Sequence, residues 1–142
     1  MLNAADISAA LPHGSGMSLL ERVVSWCENT IVCEAVSHDR ESNPLHLRGA
    51  LPVITLVEYA AQAAAVHSSL VLSGMGRVRP AYIGALKKVS LFSEVIPRHT
   101  PVLKVHASVE MVSDAGAIYS FEVVADSVLI SGRMVLVIPT SV

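Results

Sequence analysis

The sequence predicts an α+β fold in which an antiparallel sheet of about six strands wraps around one long central helix. Three observations predict it. Residues 51–75 read LPVITLVEYAAQAAAVHSSLVLSGM, an apolar run of helical length with Pro52 suited to its first turn and Gly74 and Gly76 as terminators. On both sides of that run, short segments rich in Val, Ile, Leu and Tyr are separated by turn residues, as strands are. A helix that is apolar nearly all round has to be buried, and a sheet curled around it is the simplest layered way to bury it.

In chain order, residues 4–11 (AADISAAL) predict a short helix with Asp6 near its start, stopped by Pro12, and GSGMS at 14–18 predicts a turn. Residues 19–35 (LLERVVSWCENTIVCEA) predict two strands joined at Glu28, Asn29 and Thr30. Residues 37–50 (SHDRESNPLHLRGA) are the most polar stretch and the longest irregular one, and loops of such length in compact domains are commonly functional. The long helix follows. Strands are expected at 81–89, 101–111, 117–125 and 128–138, with hairpin turns at Asp114–Gly116 and Asp126–Ser127.

The 142 residues suit a single domain. They are 52% hydrophobic and only 15% charged, too few charges for a small domain whose whole surface meets water, so a second subunit is expected to cover part of it. One sheet offers one concave face, and the same second subunit would cover the remaining side of the helix. A net charge of −2 argues against a general nucleic-acid or membrane-surface binder. A local exception is the basic run Arg77, Arg79, Lys87 and Lys88, which has no acid within it. Cys27 and Cys33 fit no metal or redox spacing and are expected to be small core residues on one face of a strand. With no signal peptide at the N-terminus, a cytoplasmic location is expected. The 51–75 run is long enough to span a bilayer, but Glu58, Gln62, His67 and two serines favour a buried soluble helix.

Glu58 is the only formally charged residue between 51 and 75. An ionised carboxylate withdrawn from water costs many kcal/mol unless paired or hydrogen-bonded, so its retention there points to use. Gln62 lies one turn on along the same face, and His46 a short loop upstream. A structural ion pair of Glu58 with Arg22 or Arg48 is the plain alternative.

The order of elements, together with particular residues, resembles the hotdog-fold 3-hydroxyacyl-[acyl-carrier-protein] dehydratases, and most of all a shorter, divergent branch serving specialised acyl and polyene pathways. Leu11-Pro12-His13 followed by Leu19-Leu20-Glu21-Arg22-Val23 is similar to that family's opening motif, with Glu21 in place of the usual Asp. Glu58-Tyr59-Ala60-Ala61-Gln62-Ala63-Ala64 is similar to its central-helix motif. Tyr82-Ile83-Gly84 with Val89 resembles the strand after the helix, and Ser131-Gly132-Arg133 the last strand. The loop before the helix departs from the pattern. His46-Leu47-Arg48-Gly49 keeps an H-x-x-G skeleton, but the interval from His46 to Glu58, twelve residues, is two shorter than usual.

The resemblance implies dehydration of 3-hydroxyacyl thioesters carried on the phosphopantetheine of an acyl carrier protein, with no cofactor and no metal. Such a reaction needs a base for the α-proton, an acid for the departing hydroxyl, and donors for the thioester oxygen as charge builds on it. His46 is the expected base and Glu58 the expected acid, kept protonated by an apolar surround. The expected donors are free amides at the helix start around Val53, Ile54 and Thr55. Gln62, His13, Gly49, Tyr82 and Gly84 would support or line the site, and the acidic carrier would dock near Arg77, Arg79, Lys87 or Lys88. In the family the base and the acid come from opposite subunits, so a homodimer or higher oligomer is implied. Two rivals remain: a hotdog thioesterase using Glu58 on water or on the thioester, and a non-catalytic acyl-carrier-binding homologue that has lost its base. His67, further along the helix, is expected to face away from Glu58, and His38, His99 and His106 to be surface or strand residues.

Overall fold

A computed structural model describes residues 2–3, 5–7, 18–40, 42–46, 50–73, 82–97 and 99–137. Its strands are β1 (Leu2–Asn3), β2 (Arg22–Trp26), β3 (Thr30–Ala35), β4 (Tyr82–Leu91), β5 (Leu103–Ser113), β6 (Gly116–Val124) and β7 (Val128–Val137). The central α-helix runs Leu56–Ser73 between β3 and β4, and residues 5–7 are also helical, within the short helix expected at 4–11. The strands form a single sheet in the order β1-β2-β3-β5-β6-β7-β4, every neighbouring pair antiparallel. The six expected strands are present, with the two-residue β1 added at one edge. Because β3 and β4 lie far apart in the sheet, the chain between them must cross one face, and the central helix makes that crossing.

Side-chain alternation decides which face the helix covers. Ile31, Cys33 and Ala35 on β3 pair with Ala107, Val105 and Leu103 on β5, and Ala107 and Val105 pair in turn with Phe121 and Val123 on β6. All of these side chains are buried and form one continuous apolar surface. Tyr59, Ala60, Ala63, Ala64, Val66 and Leu70 of the helix are buried in the same cluster, and the helix packs on β3, β5 and β6. Alanines dominate this face, so the helix backbone can sit close to the sheet.

The helix start is set by Pro52. Its extended backbone (φ −62°, ψ 141°) caps a 3₁₀ turn, Val53–Thr55, which leads straight into the α-helix at Leu56. The β5–β6 hairpin turns at Asp114 and Ala115, as its sequence predicts. Gly116 then enters β6 at φ 157°, and a Cβ there would collide with the Leu136 carbonyl oxygen, so only glycine fits. β4 holds the far edge through two register shifts against β7, with Lys88 in the left-handed region (φ 53°) at the second.

The cysteines do not share a face. Cys33 is fully buried on β3, whereas Cys27 is exposed in the turn after β2, one residue past the end of the strand, where strand alternation no longer applies.

Candidate active site

Glu58 lies in the first turn of the central helix, one position before the fully buried Tyr59. Its side chain is exposed, not buried as the apolar run predicts, and it makes no hydrogen bond or ion pair among the described residues. The reason is geometric. A single sheet covers one side of a helix, and Ile54, Glu58, Ala61, Ala65 and Ser68 lie along the other side, all exposed or half-buried. Of the two candidate partners for a structural ion pair, Arg22 pairs instead with Glu34 on β3, and Arg48 lies outside the described residues.

Tyr59 faces inward and anchors the polar loop that precedes the helix. Hydrogen-bond directions there follow from which atoms can only accept. The Ser37 hydroxyl donates to the Leu19 carbonyl (2.7 Å), so it accepts from the Tyr59 hydroxyl (2.8 Å). The Tyr59 oxygen in turn accepts from Asn43 Nδ2 (3.0 Å), which also donates to the Ser37 carbonyl (3.0 Å), and Asn43 Oδ1 accepts the Leu45 N–H (2.9 Å). Every polar atom of this buried cluster has a partner, the condition under which such a cluster stabilises rather than costs. Burial raises the Tyr59 hydroxyl above its ordinary range, against the opposing pull of Ser37 and Asn43.

His46, the expected base, is half-buried at the end of that loop. Its N–H donates to the Asn43 carbonyl (3.2 Å) and its ring Nε2 lies 2.8 Å from the His38 carbonyl oxygen. No hydrogen bond joins His46 to Glu58 within the chain. His38 corrects the expectation of a surface or strand position. It is 6% exposed in the 3₁₀ turn Ser37–Asp39, with Nε2 donating to the Thr100 carbonyl (2.7 Å) and Nδ1 without a partner among the described residues.

Gln62 is buried and accepts the Leu19 N–H at Oε1 (2.9 Å). It therefore ties the chain entering β2 to the helix, while Ser37 holds the carbonyl of the same residue. At the helix start, Val53 gives its N–H to the Glu94 carbonyl (2.8 Å) and Thr55 to the Pro52 carbonyl (3.0 Å). Of the three amides expected to be free, two are thus already engaged by backbone acceptors. Ile54 is exposed on the open face beside Glu58. Tyr82 pairs with Val137 on β7, and the alternation of Leu136 into the core puts Tyr82 on the sheet face away from the helix. Gly84 makes room at the first register shift, where a Cβ would stand 2.6 Å from Val137 Cγ2. Lys87 and Lys88 are exposed on β4, and Lys87 stands directly opposite Arg133, whose guanidinium is paired with the Glu110 carboxylate (3.0 Å). His13, Gly49, Arg77 and Arg79 lie outside the described residues.

A second tyrosine cluster lies along the helix. His67, buried, donates from Nε2 to the Cys27 carbonyl (2.9 Å), so its Nδ1 accepts from the Tyr119 hydroxyl (2.7 Å), which accepts from Ser68 (2.9 Å). His67 does face away from Glu58. Burial raises the Tyr119 hydroxyl too. Ser37, Asn43, His38 and Tyr119 escaped sequence reasoning; the one cue was the polarity of the 37–50 loop. Among the described residues no group of His, Cys, Asp and Glu is placed to hold a metal ion, and no helix is long and apolar enough to cross a membrane.

One sheet wrapped on one helix in this strand order is the hotdog fold, and solved structures share it. A chain of the dehydratase heterocomplex ApeI:P from Xenorhabdus doucetiae superposes with a TM-score of 0.83 at 20% identity, over 99% of this chain and 93% of that one. The thioesterase HI1161 from Haemophilus influenzae gives 0.65 at 11% identity, over 99% and 92%. The PaaI protein of the E. coli phenylacetic acid degradation operon gives 0.57 at 14%, over 81% and 80%. No curated protein matches in sequence. The family model described as ApeP-like, ApeP dehydratase, matches residues 5–142, and the chain belongs to that family.

Proposed function

We propose that the protein removes water from 3-hydroxyacyl thioesters on an acyl carrier protein, giving trans-2-enoyl thioesters in fatty acid or polyene-type acyl synthesis. The observation that carries this reading is Glu58, a carboxyl with no partner among the described residues, on the uncovered stripe of the central helix, next to a loop that the following residue, Tyr59, pins to the same helix. His46 takes the α-proton, and the C–H electron pair moves toward the thioester carbonyl. The C3–O bond then breaks as Glu58 delivers its proton to the hydroxyl, and water departs. The proton on His46 afterwards returns to the carboxylate through solvent, which restores both groups. The chemistry calls for no cofactor beyond the phosphopantetheine that carries the acyl group.

A second hotdog subunit completes the site in this reading, by covering the Glu58 stripe and expelling water from it. In a homodimer it would be a copy of this chain. The exposed apolar side chains Ile54, Leu86, Leu91 and Val95 support such cover, because this many large apolar groups left in water on one molecule mark an interface. The match to a subunit of a dehydratase heterocomplex supports association as well. The acidic carrier docks at Lys87 and Lys88, with the run continuing from Arg77 and Arg79. The whole chain acts as one hotdog unit in the cytoplasm.

Incubation with a 3-hydroxyacyl carrier protein, followed by mass spectrometry of the carrier, tests the reaction. Loss of one water from the intact thioester is expected. Release of free acid would instead establish a thioesterase, and binding without either change a non-catalytic carrier-binding protein. Light scattering on the protein expressed alone tests the homodimer, and a monomer would show that the covering subunit is a different chain.

A further inference from the structure

The His38 carbonyl decides which nitrogen of His46 is available. A carbonyl oxygen only accepts hydrogen bonds, so the 2.8 Å contact to Nε2 places the proton of neutral imidazole on that atom. The lone pair that takes a proton is then on Nδ1. Nδ1 is attached through Cγ directly to Cβ, so it lies nearer the backbone than Nε2, and its position depends chiefly on where the backbone of His46 is held. That backbone is held by Asn43. The Asn43 carbonyl accepts the His46 N–H, its Oδ1 accepts the Leu45 N–H, and its Nδ2 is fastened to Ser37 and to the Tyr59 hydroxyl. The acceptor of the ring proton, His38, is itself fixed by its Nε2 bond to Thr100. Asn43 is 6% exposed and Tyr59 fully buried, so the anchor is rigid, and it begins one residue from Glu58 on the helix.

We propose that His46 is locked as the Nε2–H tautomer by the His38 carbonyl and acts through Nδ1, with Asn43 and Tyr59 as the positioning residues that aim it. This rests on the dehydratase reading for the role of the base, while the tautomer stands independently of it. In the step concerned, the α C–H bond breaks and an N–H bond forms at Nδ1, giving an imidazolium whose Nε2–H stays on the His38 carbonyl, and the electron pair passes into the thioester.

Long-range proton–nitrogen correlation spectra of the protein labelled with ¹⁵N-histidine test the tautomer, with the His46 signals assigned by their loss in His46→Ala. A proton on Nε2 and a bare Nδ1 are expected; a proton on Nδ1 overturns the proposal whether or not the protein dehydrates anything. For the positioning residues, Asn43→Ala should lower kcat about 10²-fold, as small misplacements of a catalytic group do, with KM within about twofold. The His46 ring signals should move with it. Tyr59→Phe keeps the Asn43 bonds to Ser37 and Leu45, so it should show the same split with a smaller fall, and it serves if Asn43→Ala does not fold. Unchanged kcat and unmoved His46 signals in the folded variants would overturn the positioning role. A wild-type protein with the expected tautomer and no dehydratase activity would refute the function and, with it, the use of Nδ1 as base.

Discussion

Glu58 and Tyr59 are consecutive residues on one helix, about 100° apart around its axis, and they meet opposite surroundings. Tyr59 points under the sheet, is fully buried, and has its hydroxyl bonded to both Ser37 and Asn43. Glu58 points away from the sheet, is exposed, and has no partner among the described residues. Each kind of polar group survives under a different condition. On the covered face, a polar atom must be matched by protein partners, so it is committed to architecture. On the open face, water satisfies the group, so it stays free to meet a substrate or a second subunit.

The largest effect is expected from Glu58→Gln. Turnover should fall about 10²–10⁴-fold, the contribution of a positioned acid, while the unfolding free energy from urea titration stays within about 0.5 kcal/mol of wild type, as for exposed positions. A large loss of stability would show that Glu58 is structural after all. Tyr59→Phe probes the other side. It strips Asn43 Nδ2 of an acceptor and Ser37 of a donor, so a loss of about 1–3 kcal/mol is expected by denaturant titration.

The two cysteines sharpen the contrast in a milder form. Burial pushes the Cys33 thiol up to about 12, whereas the Thr30 hydroxyl, then the Asn29 and Thr30 backbone, lower that of exposed Cys27. A thiol reagent at neutral pH should therefore modify one cysteine per chain, and the second only on unfolding. Because the folded state holds the Cys33 proton more tightly than the unfolded chain, whose thiol titrates near 8.5, its stabilising effect is complete below that value. It is lost as pH climbs toward about 12. Cys33→Ala should make the decline in stability over that alkaline window shallower. The smallest effect is expected from Ser68→Ala, at or below about 1 kcal/mol, since Tyr119 keeps its bond to His67.

Much of the fold is legible in the chain. Strand segments, both hairpin turns and the central helix follow from alternation, turn residues and the apolar run, all set by neighbours a few positions away. Glu58 is legible as a candidate for the same reason, as the one charge in that run. The partners of the site are less so. Ser37 meets Tyr59 across 22 residues, Asn43 meets it across 16, and His38 meets Thr100 across 62. No local pattern marks such pairs. Val53 reads as a free helix-start amide until Glu94, far along the chain, supplies its acceptor, and Cys27 reads as strand until β2 ends one residue earlier.

Local side-chain chemistry and periodicity were enough to set one sheet, one long central helix and an acid on that helix, because backbone conformation answers to near neighbours. Tertiary structure decided that the acid stands in the open, that Tyr59 holds the loop, and that His46 Nε2 is hydrogen-bonded to the His38 carbonyl. Those outcomes depend on which helix face a single sheet can cover and on which distant carbonyl lies within about 3 Å of each donor.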